Sequence, residues 1–479
     1  MVLVTLLLTS CSLALSVMLT PLVRGLAVRN GWVDKPDNVR KIHKAPIPRL
    51  GGIPILLACA ISFSLLMFAT GSSFAAAWKL LPASLMIFFI GLWDDIKGLT
   101  PRQKLAGETI AAAVGCLTLA RIYGLPGAVA ASWAVPLAII WLVACTNAFN
   151  LIDGADGVAT GSAILGVLPA LVFGILQHDL GLIAASAVLL GALLGFLFFN
   201  FYPASIFLGD SGSLFVGFVL GCLGLIWAHK ATTIRGMVAP LIAFSIPLID
   251  TSLTIARRFL RGHPIFTADR GHIHHRLLDR GLSPRGTALR LYAAGCLAAI
   301  LSILVAAPNR IAGILGIELF CISVWAGIRY LGYSEFNIIA QLFRHVLLPM
   351  IRSQYALREH EEALRSAATA EDCWRAVQIV GRKFGCSHVA LGLAGETHEQ
   401  QLDPAANARW ALQIPLSNSE YVQLTYGLDS PAEQMVLAPL AETLQRALTV
   451  KAAEFGRIRS GQQSAAQAAA SSASGVLRA

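Results

Sequence analysis

The 479-residue sequence has few charged residues, and it lacks the cysteine and N-terminal patterns of a secreted domain. Charged residues make up 13% of the chain, against about a quarter in soluble proteins, and 56% are hydrophobic. The nine cysteines form no Cys-x-x-Cys pair, which argues against a disulfide framework or a metal knuckle. No basic segment precedes the first apolar run, so that run predicts a retained membrane span and not a cleaved signal peptide.

The apolar residues form about eleven blocks that are long enough to cross a bilayer. The segments after the first and ninth blocks are strongly basic, which places both in the cytoplasm, with the N-terminus outside and the C-terminus inside. The sequence therefore predicts an all-α polytopic membrane domain over residues 1–334. Its predicted spans are 2–22, 51–70, 75–92, 105–120, 130–147, 158–177, 181–200, 213–229, 236–256, 290–307 and 309–330.

The rest of the chain has the composition of a small cytoplasmic α+β domain. An amphipathic helix is predicted within 336–370, and residues 335–459 as a whole follow an order of elements similar to a GAF-type fold. Apolar faces in this region favour a homodimer. The Ser/Ala/Gln-rich end, 460–479, is predicted to be disordered. The predicted strands are 387–393, 411–415 and 421–426.

Four polar clusters interrupt the apolar chain, and the predicted topology puts all four at the cytoplasmic ends of spans. Polar and ionisable groups beside hydrocarbon are costly, so they indicate function by default. Because the four lie on the same side of the membrane, we interpret them as one site. The clusters are 94–95, 147–157, 207–213 and 272–275.

The first cluster is a pair of adjacent carboxylates, Asp94 and Asp95. Such a pair can hold a divalent cation or accept a proton, and the nearby Lys104 suits a phosphate group. The alternative is a structural turn in which an aspartate caps the following helix.

In the second cluster Asn147, Asn150, Asp153 and Asp156 are spaced by three residues, so neighbouring members share a helix face. Amides and carboxylates on one face can bind the donor edges of a nucleobase and a ribose. The spacing excludes an EF-hand, whereas a purely structural turn stays open.

The third cluster places Asp210 in a glycine-flanked turn, where it is a good ligand for a hard metal ion, and Phe207 nearby can stack on a base. Its Gly-Asp-Ser-Gly string also occurs in trypsin-like proteases, but no matching His and Asp elements accompany it. The fourth cluster contains His272, His274 and His275 in a basic loop. Phosphate contact or proton handling is favoured there, with zinc as the alternative, because no partner has a usual zinc spacing.

A net charge of +10, concentrated in the predicted cytoplasmic loops, is explained by orientation and by contact with anionic lipid or phosphate, and nucleic-acid binding is not required. A soluble nucleotide and a membrane-bound acceptor are expected to meet at this site. Phosphoryl transfer between them needs mainly alignment and charge neutralisation.

From residue 1 to about 330, these motifs resemble the polyprenyl-phosphate N-acetylhexosamine-1-phosphate transferases, a superfamily that includes MraY. The resemblance also rests on the motifs 34–36, 40–43 and 46–52. His-Ile-His-His preceded by Asp-Arg-Gly is similar to the WecA/TagO branch and differs from the MraY branch. The family motif gives no support for residues 336–479.

The resemblance implies transfer of N-acetylhexosamine 1-phosphate from a UDP-sugar, most often UDP-GlcNAc, to undecaprenyl phosphate in the inner leaflet of a bacterial cytoplasmic membrane. The products are the lipid-diphosphate sugar and UMP, and the cofactor is Mg²⁺, with Mn²⁺ as an alternative. The implied metal ligands are Asp210 and Asp95. The implied catalytic residues are Asp94, Asp95, His272, His274 and His275. The implied substrate-binding residues are Arg49, Lys104, Asn147, Asn150, Asp153, Asp156, Phe207 and Arg270.

Several alternatives stay open at this point. The donor can be UDP-FucNAc, UDP-QuiNAc or UDP-MurNAc-pentapeptide, and the mechanism can be one step or pass through an aspartyl phosphate. A transporter of lipid-linked cargo is the alternative of another class, although polar clusters at span ends and the lack of an evident inverted repeat argue against it. A third alternative is an inactive scaffold, which the presence of every motif carboxylate disfavours.

Overall fold

The computed structural model divides the chain into two compact units, Met1–Tyr333 and Ser334–Ala479. We call them the membrane unit and the C-terminal unit. The predicted substrate-binding residue Arg270 and the motif 40–43 lie outside the residues that the structure describes. The described residues are 2–34, 46–70, 79–123, 128–231, 233–262, 271–333, 341, 344, 348–404, 409–417, 419–427 and 434–476.

In its described ranges the membrane unit is helical apart from one short antiparallel strand pair, which we call the hairpin. The hairpin pairs β1 (Val33–Asp34) with β2 (Ile47–Pro48). The helices are α1 (Val2–Arg29), α2 (Gly52–Thr70), α3 (Leu81–Lys97), α4 (Pro101–Tyr123), α5 (Ala128–Ile152), α6 (Val158–Leu176), α7 (Leu180–Asn200), α8 (Gly209–Lys230), α9 (Ile234–Ala243), α10 (Ser245–Leu260), α11 (Ile273–Asp279), α12 (Pro284–Ala306) and α13 (Arg310–Leu331).

The described helices confirm the prediction of a polytopic membrane protein. Nine of the helices in the described part of the chain are long and apolar enough to cross a bilayer. Helices α9 and α10 meet at a 76° bend and count together as a tenth span at most. The remaining predicted span corresponds to α3, which has 17 residues and is shorter than the roughly 20 that a perpendicular crossing needs.

Small residues allow α1 and α7 to pack closely. A Cβ atom added at Gly191 would lie 2.2 Å from a backbone oxygen of α1, so only glycine fits there. Ser12 Oγ donates to the Val188 carbonyl at 2.7 Å, and Ser16 Oγ donates to that of Ala192 at 2.8 Å. Hydrocarbon offers no competing water, so small side chains and interhelical hydrogen bonds hold such interfaces together.

Helix α8 brings the polar clusters together. It contacts α3, which carries the aspartate pair, and α5, whose last turns carry Asn147 and Asn150. Its own first turn carries Asp210. Three clusters that are distant in the sequence therefore meet at the beginning of one buried helix.

The C-terminal unit contains an antiparallel sheet and three described helices. The strand order is β4-β3-β6-β5, and the apolar core lies between the sheet and the helices. The three predicted strands correspond to β3, β5 and β6. The fourth, β4, was not predicted because its sequence is polar throughout, as an edge strand allows. The elements are α14 (Leu348–Ser366), α15 (Ala370–Lys383), β3 (His388–Leu393), β4 (Glu396–Gln401), β5 (Arg409–Pro415), β6 (Tyr421–Gly427) and α16 (Gln434–Val476).

The end of the chain differs from the expectation of a disordered tail over 460–479. Helix α16 continues through this region to Val476. Alanine and glutamine, which are abundant there, have high intrinsic helix propensity, and only two glycines oppose it.

Candidate active site

A cavity of about 820 Å³ opens in the membrane unit beside the first turn of α8. This volume lies in the range of small-molecule sites. Eight of the residues predicted from the sequence line the cavity: Arg49, Asp95, Asn150, Asp153, Asp156, Phe207, Asp210 and His275.

At one side of the cavity two carboxylates share a single lysine. Lys104 Nζ lies 3.0 Å from Asp94 Oδ2, 3.0 Å from Asp210 Oδ2 and 3.2 Å from Asn150 Oδ1. Its three hydrogens are thus matched by three oxygens. We call Asp94, Lys104, Asn150 and Asp210 the carboxylate–lysine centre. Phosphate binding by Lys104 stays a prediction, and its ammonium group contacts Asn150 and Asp210, which line the cavity.

The two adjacent aspartates have different partners. Asp94 Oδ1 accepts the Leu99 N–H at 2.7 Å, in addition to the contact of Asp94 with Lys104. Asp95 accepts the N–H groups of Asp210 and Ser211, one on each carboxylate oxygen and both at 2.8 Å. Asp95 therefore binds the N-terminus of α8 and holds the backbone of Asp210 in place. Metal ligation by Asp95 stays a prediction, since each oxygen keeps a further lone pair.

The two asparagines of α5 lie one helical turn apart, and each contacts a residue of α4. Asn150 Nδ2 donates to Asp210 Oδ1 at 2.5 Å and to Ser213 Oγ at 2.9 Å, which fixes the orientation of its amide in the centre. One turn deeper, Asn147 Nδ2 donates to a carboxylate oxygen of Glu108 and to the Val143 carbonyl. Asn147 is not among the residues that line the cavity, because its amide faces α4.

Asp153 and Asp156 lie in the loop after α5, at the edge of the cavity. Asp156 Oδ2 accepts the Ala204 N–H at 2.9 Å and so ties this loop to the segment before α8. Burial raises the pKa of Asp153 well above its usual range, and the negative charges of Asp210 and Asp95 raise it further. Burial and two neighbouring carboxylates therefore both disfavour the charged form of Asp153.

The hairpin β1–β2 positions Arg49 on the cavity wall. Arg49 forms an ion pair of 3.0 Å with Asp34, and the Phe207 carbonyl accepts the Gly51 N–H at 3.0 Å. Gly209 adopts a left-handed backbone with φ of 74°. A Cβ atom there would approach the Arg49 carbonyl oxygen to 1.8 Å, so the turn before α8 requires glycine.

The histidine segment, residues 271–275, is held by a carboxylate from α10. His272 Nδ1 lies 2.9 Å from Asp250 Oδ2, and Asp250 Oδ1 accepts the Ile273 N–H at 2.7 Å. Asp250 is only 1% exposed, so its two contacts replace water completely. This arrangement orients the imidazole of His272 through its Nδ1 atom.

His274 is the most enclosed of the three histidines, at 2% exposure. Neither of its ring nitrogens has a hydrogen-bond partner within the described part of the chain. Burial, together with the charge of His275, lowers the pKa of His274 to about 3. Its ring packs on Gly154, where an added Cβ would lie 2.7 Å from the imidazole. A neutral, unpartnered imidazole thus lies directly behind the cavity-lining loop.

Two carboxylates of the site were missed by the sequence analysis, Glu108 and Asp250. Each falls inside a predicted span, 105–120 and 236–256 respectively, and each is 1% exposed. A charged residue within a span is itself a signal of function or of a specific partner. When this criterion is applied to single residues as well as to clusters, it identifies both Glu108 and Asp250.

No group of three His, Cys, Asp or Glu side chains in the described ranges is arranged as a ready-made metal site. Mg²⁺ does not need one, because it is commonly bound by one or two carboxylates together with waters and substrate phosphates. The cavity borders Asp95, Asp153, Asp156 and Asp210 but only one described arginine, Arg49. A phosphate ligand entering so acidic a cavity requires a cation, so the residues present fit Mg²⁺.

Comparisons with known proteins agree with this geometry. Residues 77–228 match glycosyl transferase family 4. A probable undecaprenyl-phosphate N-acetylglucosaminyl 1-phosphate transferase of Bacillus subtilis is 34% identical over 298 residues, covering 61% of this chain and 82% of the relative.

Two further relatives differ in the reaction that their names describe. A decaprenyl-phosphate N-acetylglucosaminephosphotransferase of Mycobacterium tuberculosis is 33% identical over 303 residues, covering 56% of this chain and 74% of the relative. A phospho-N-acetylmuramoyl-pentapeptide-transferase of Streptococcus uberis is 29% identical over 268 residues, covering 52% and 79%.

Proposed function

The chain belongs to glycosyl transferase family 4, the polyprenyl-phosphate N-acetylhexosamine-1-phosphate transferases, and on that premise we propose that it transfers N-acetylglucosamine 1-phosphate from UDP-GlcNAc to undecaprenyl phosphate. The products are undecaprenyl-diphosphate-GlcNAc and UMP. This reaction starts a cell-surface glycan at the cytoplasmic face of a bacterial inner membrane.

The main observation behind the proposal is that two features, the carboxylate–lysine centre and the histidine segment, border one cavity. Asp210, held by Lys104 and Asn150, borders it together with His275 of the histidine segment. A phosphoryl-transfer site needs groups that align anions and neutralise their charge, and it needs little covalent chemistry from the protein. Both requirements are met by side chains that other residues hold in fixed orientations.

In the proposed one-step reaction, an oxygen of the acceptor phosphate attacks the phosphorus that carries the sugar. A new P–O bond forms to the acceptor, and the P–O bond to UMP breaks. Asp94 and Lys104 orient the attacking phosphate, while the histidines and Arg49 hold the donor diphosphate. Because a phosphate monoester is largely ionised at pH 7, alignment contributes more than proton removal.

Asp210 is the proposed principal ligand of Mg²⁺, with Asp95 as a second. The bound ion would neutralise the donor diphosphate. The chain supports this role by fixing Asp210 from three directions: its N–H donates to Asp95, and its carboxylate contacts Lys104 and Asn150. Asn150 and the Asp153–Asp156 loop are the proposed contacts of uridine, together with Phe207.

The choice of donor rests on the relatives that are named for GlcNAc transfer, which are 33–34% identical. The relative named for transfer of phospho-N-acetylmuramoyl-pentapeptide is 29% identical and supplies the competing donor. None of the proposed contacts distinguishes one sugar from another, so the sugar preference is decided by experiment.

The proposal is tested by incubating the purified full-length protein with undecaprenyl phosphate, Mg²⁺ and one radiolabelled UDP-sugar at a time. UDP-GlcNAc should yield labelled lipid and an equal amount of UMP. In the Asp210→Asn variant we expect turnover to fall by about 10³-fold, because an interaction made mainly in the transition state is lost.

The matched control is Asp179→Asn, which alters the aspartate that caps α7 and pairs with Lys230 at 3.3 Å, away from the cavity. It should keep turnover within about twofold. Transfer only from UDP-MurNAc-pentapeptide would reject the proposed donor. A label trapped covalently on the protein with the donor alone would reject the one-step scheme, and Mg²⁺-dependent turnover near the normal rate in Asp210→Asn would reject the metal assignment.

A further inference from the structure

The ring of Tyr333 is contacted by two arginines that come from different helices. The guanidinium carbon of Arg276 is 3.9 Å from the ring centroid, and that of Arg257 is 5.6 Å away. Tyr333 is 4% exposed, so both contacts are largely shielded from solvent. Such shielding strengthens the attraction between an arginine and an aromatic face.

The two arginines flank the histidine segment on both sides. Arg257 NH2 donates to the Gly271 carbonyl at 2.9 Å, immediately before His272. Arg276 follows His275 directly in α11. A Cβ atom at residue 271 would overlap the guanidinium of Arg257 in its present position, so a larger residue there would displace this side chain.

Arg276 also binds the end of the last membrane helix. Its NH1 atom donates to the Gly332 carbonyl at 3.1 Å and to that of Leu331 at 3.3 Å. These are terminal carbonyls of α13, which carry partial negative charge and have no partner within the helix. One arginine therefore joins the helix of the histidines to the C-terminus of α13, and Tyr333 covers this junction.

We propose that Tyr333 is a positioning residue for the histidine segment, acting through Arg257 and Arg276. Tyr333 is not among the described residues that line the cavity. It holds the two arginines that fix both ends of the segment, while Asp250 fixes its middle. Removing the ring takes away the one surface that both guanidinium groups contact, and with it their common register.

This role has a consequence for the C-terminal unit. Tyr333 is the last residue of the membrane unit, and the C-terminal unit begins at the next residue. A change in the C-terminal unit that displaces Tyr333 would therefore reach the histidines through two contacts.

The inference rests on the proposed function wherever turnover is measured. Its test therefore includes a second measurement that is independent of the reaction. In the full-length protein, Tyr333→Ala should lower kcat for donor turnover by about 10-fold and leave the KM for the lipid acceptor within about twofold. Tyr333→Phe keeps the ring and should retain at least half of the wild-type kcat. Equal damage in the two variants would overturn the role of the ring.

The second measurement is the rate of carbethoxylation of His274, read by peptide mass spectrometry with the exposed His178 as internal reference. Enclosure protects His274 in the wild type, so Tyr333→Ala should raise its rate several-fold and Tyr333→Phe should not. The control is Trp325→Ala, which removes an aromatic ring that contacts Arg329 within α13 itself.

An unchanged His274 rate in a folded Tyr333→Ala protein would overturn the proposal whichever sugar is the donor, and so would an equal increase in Trp325→Ala. If wild-type protein turns over no UDP-sugar while the His274 rates follow the expectation, the proposed function fails and the positioning role stands.

Discussion

The carboxylate–lysine centre and the histidine segment border the same cavity, yet they are built in opposite ways. In the centre, Lys104, Asn150 and Asp210 satisfy one another at distances of 2.5–3.2 Å. In the histidine segment, backbone and carboxylate contacts hold the main chain, while both nitrogens of His274 have no hydrogen-bond partner among the described residues. In the first region the polar side chains are paired with one another, whereas the second leaves hydrogen-bonding capacity unused.

The difference indicates how each region would meet a ligand. A complete network has low reorganisation energy and defines the position of an incoming metal ion or phosphate. A buried imidazole without a partner pays a desolvation cost that a ligand donor or acceptor can recover. We therefore expect changes in the centre to affect catalysis most strongly, and changes at the histidines to affect orientation and stability.

The largest effect is expected from Lys104→Met. Without the ammonium group, Asp94 and Asp210 face each other with no cation between them, so one must take up a proton or move. Turnover in the transferase assay should fall by about 10³-fold or more. Lys230→Met, which alters the lysine paired with Asp179, is the matched control and should stay within about twofold. Retention of a tenth of normal turnover in Lys104→Met would show that the centre does not need its internal cation.

A smaller loss is expected from Asp250→Asn. The amide can still accept the Ile273 N–H, but its NH₂ group can present a donor to His272 Nδ1 and so select the other tautomer. Turnover should fall by about 100-fold. His272→Asn should lose a similar amount, and the double variant little more, because the two side chains act as one unit. Losses that multiply in the double variant would show that Asp250 acts independently of His272.

Glu108 tests whether the layer beneath the centre matters for catalysis. Glu108→Ala leaves the Asn147 amide without its acceptor, and we expect about a 10-fold loss of turnover as α4 and α5 lose their alignment. Glu108→Gln keeps a carbonyl oxygen for Asn147 and should retain most of the activity. The comparison is read from kcat at saturating substrates. If Gln is as damaging as Ala, the negative charge is required and the hydrogen bond alone is insufficient.

The smallest effect concerns the pH dependence of stability. His274 has a folded-state pKa of about 3, below its ordinary value near 6.5, so the unfolded chain binds a proton that the folded chain does not. This lowers the stability of the fold as pH falls from about 6.5 towards 3, by up to about 1.4 kcal/mol per pH unit. The apparent Tm in detergent should therefore fall less steeply with acidification in His274→Asn than in the wild type.

The matched control for this measurement is His178→Asn, since His178 is exposed and should leave the slope unchanged. Identical slopes for the wild type and His274→Asn between pH 6.5 and 5 would contradict the enclosed, neutral state of His274. The midpoint must be compared at equal protein and detergent concentrations, because aggregation also changes with pH.

Much of the site was predictable because its residues come in clusters at span ends. Asp94, Asn150, Asp210 and His275 were all found this way, and the structure brings the first three into one network. Asn147 was expected at the substrate and instead faces Glu108, since the three-residue spacing leaves open which neighbour a helix face meets. The polar edge strand β4 was missed because it has no apolar alternation.

By itself the sequence determined the membrane-spanning architecture, the four polar clusters and the family, because hydrophobic blocks and short motifs are local properties of the chain. Only the tertiary structure decided which carboxylate does what. Asp95 binds the start of α8, Asp250 orients His272, and Tyr333 contacts both Arg257 and Arg276. Each of these contacts joins residues on different helices, and their partners depend on how those helices pack, which no local pattern encodes.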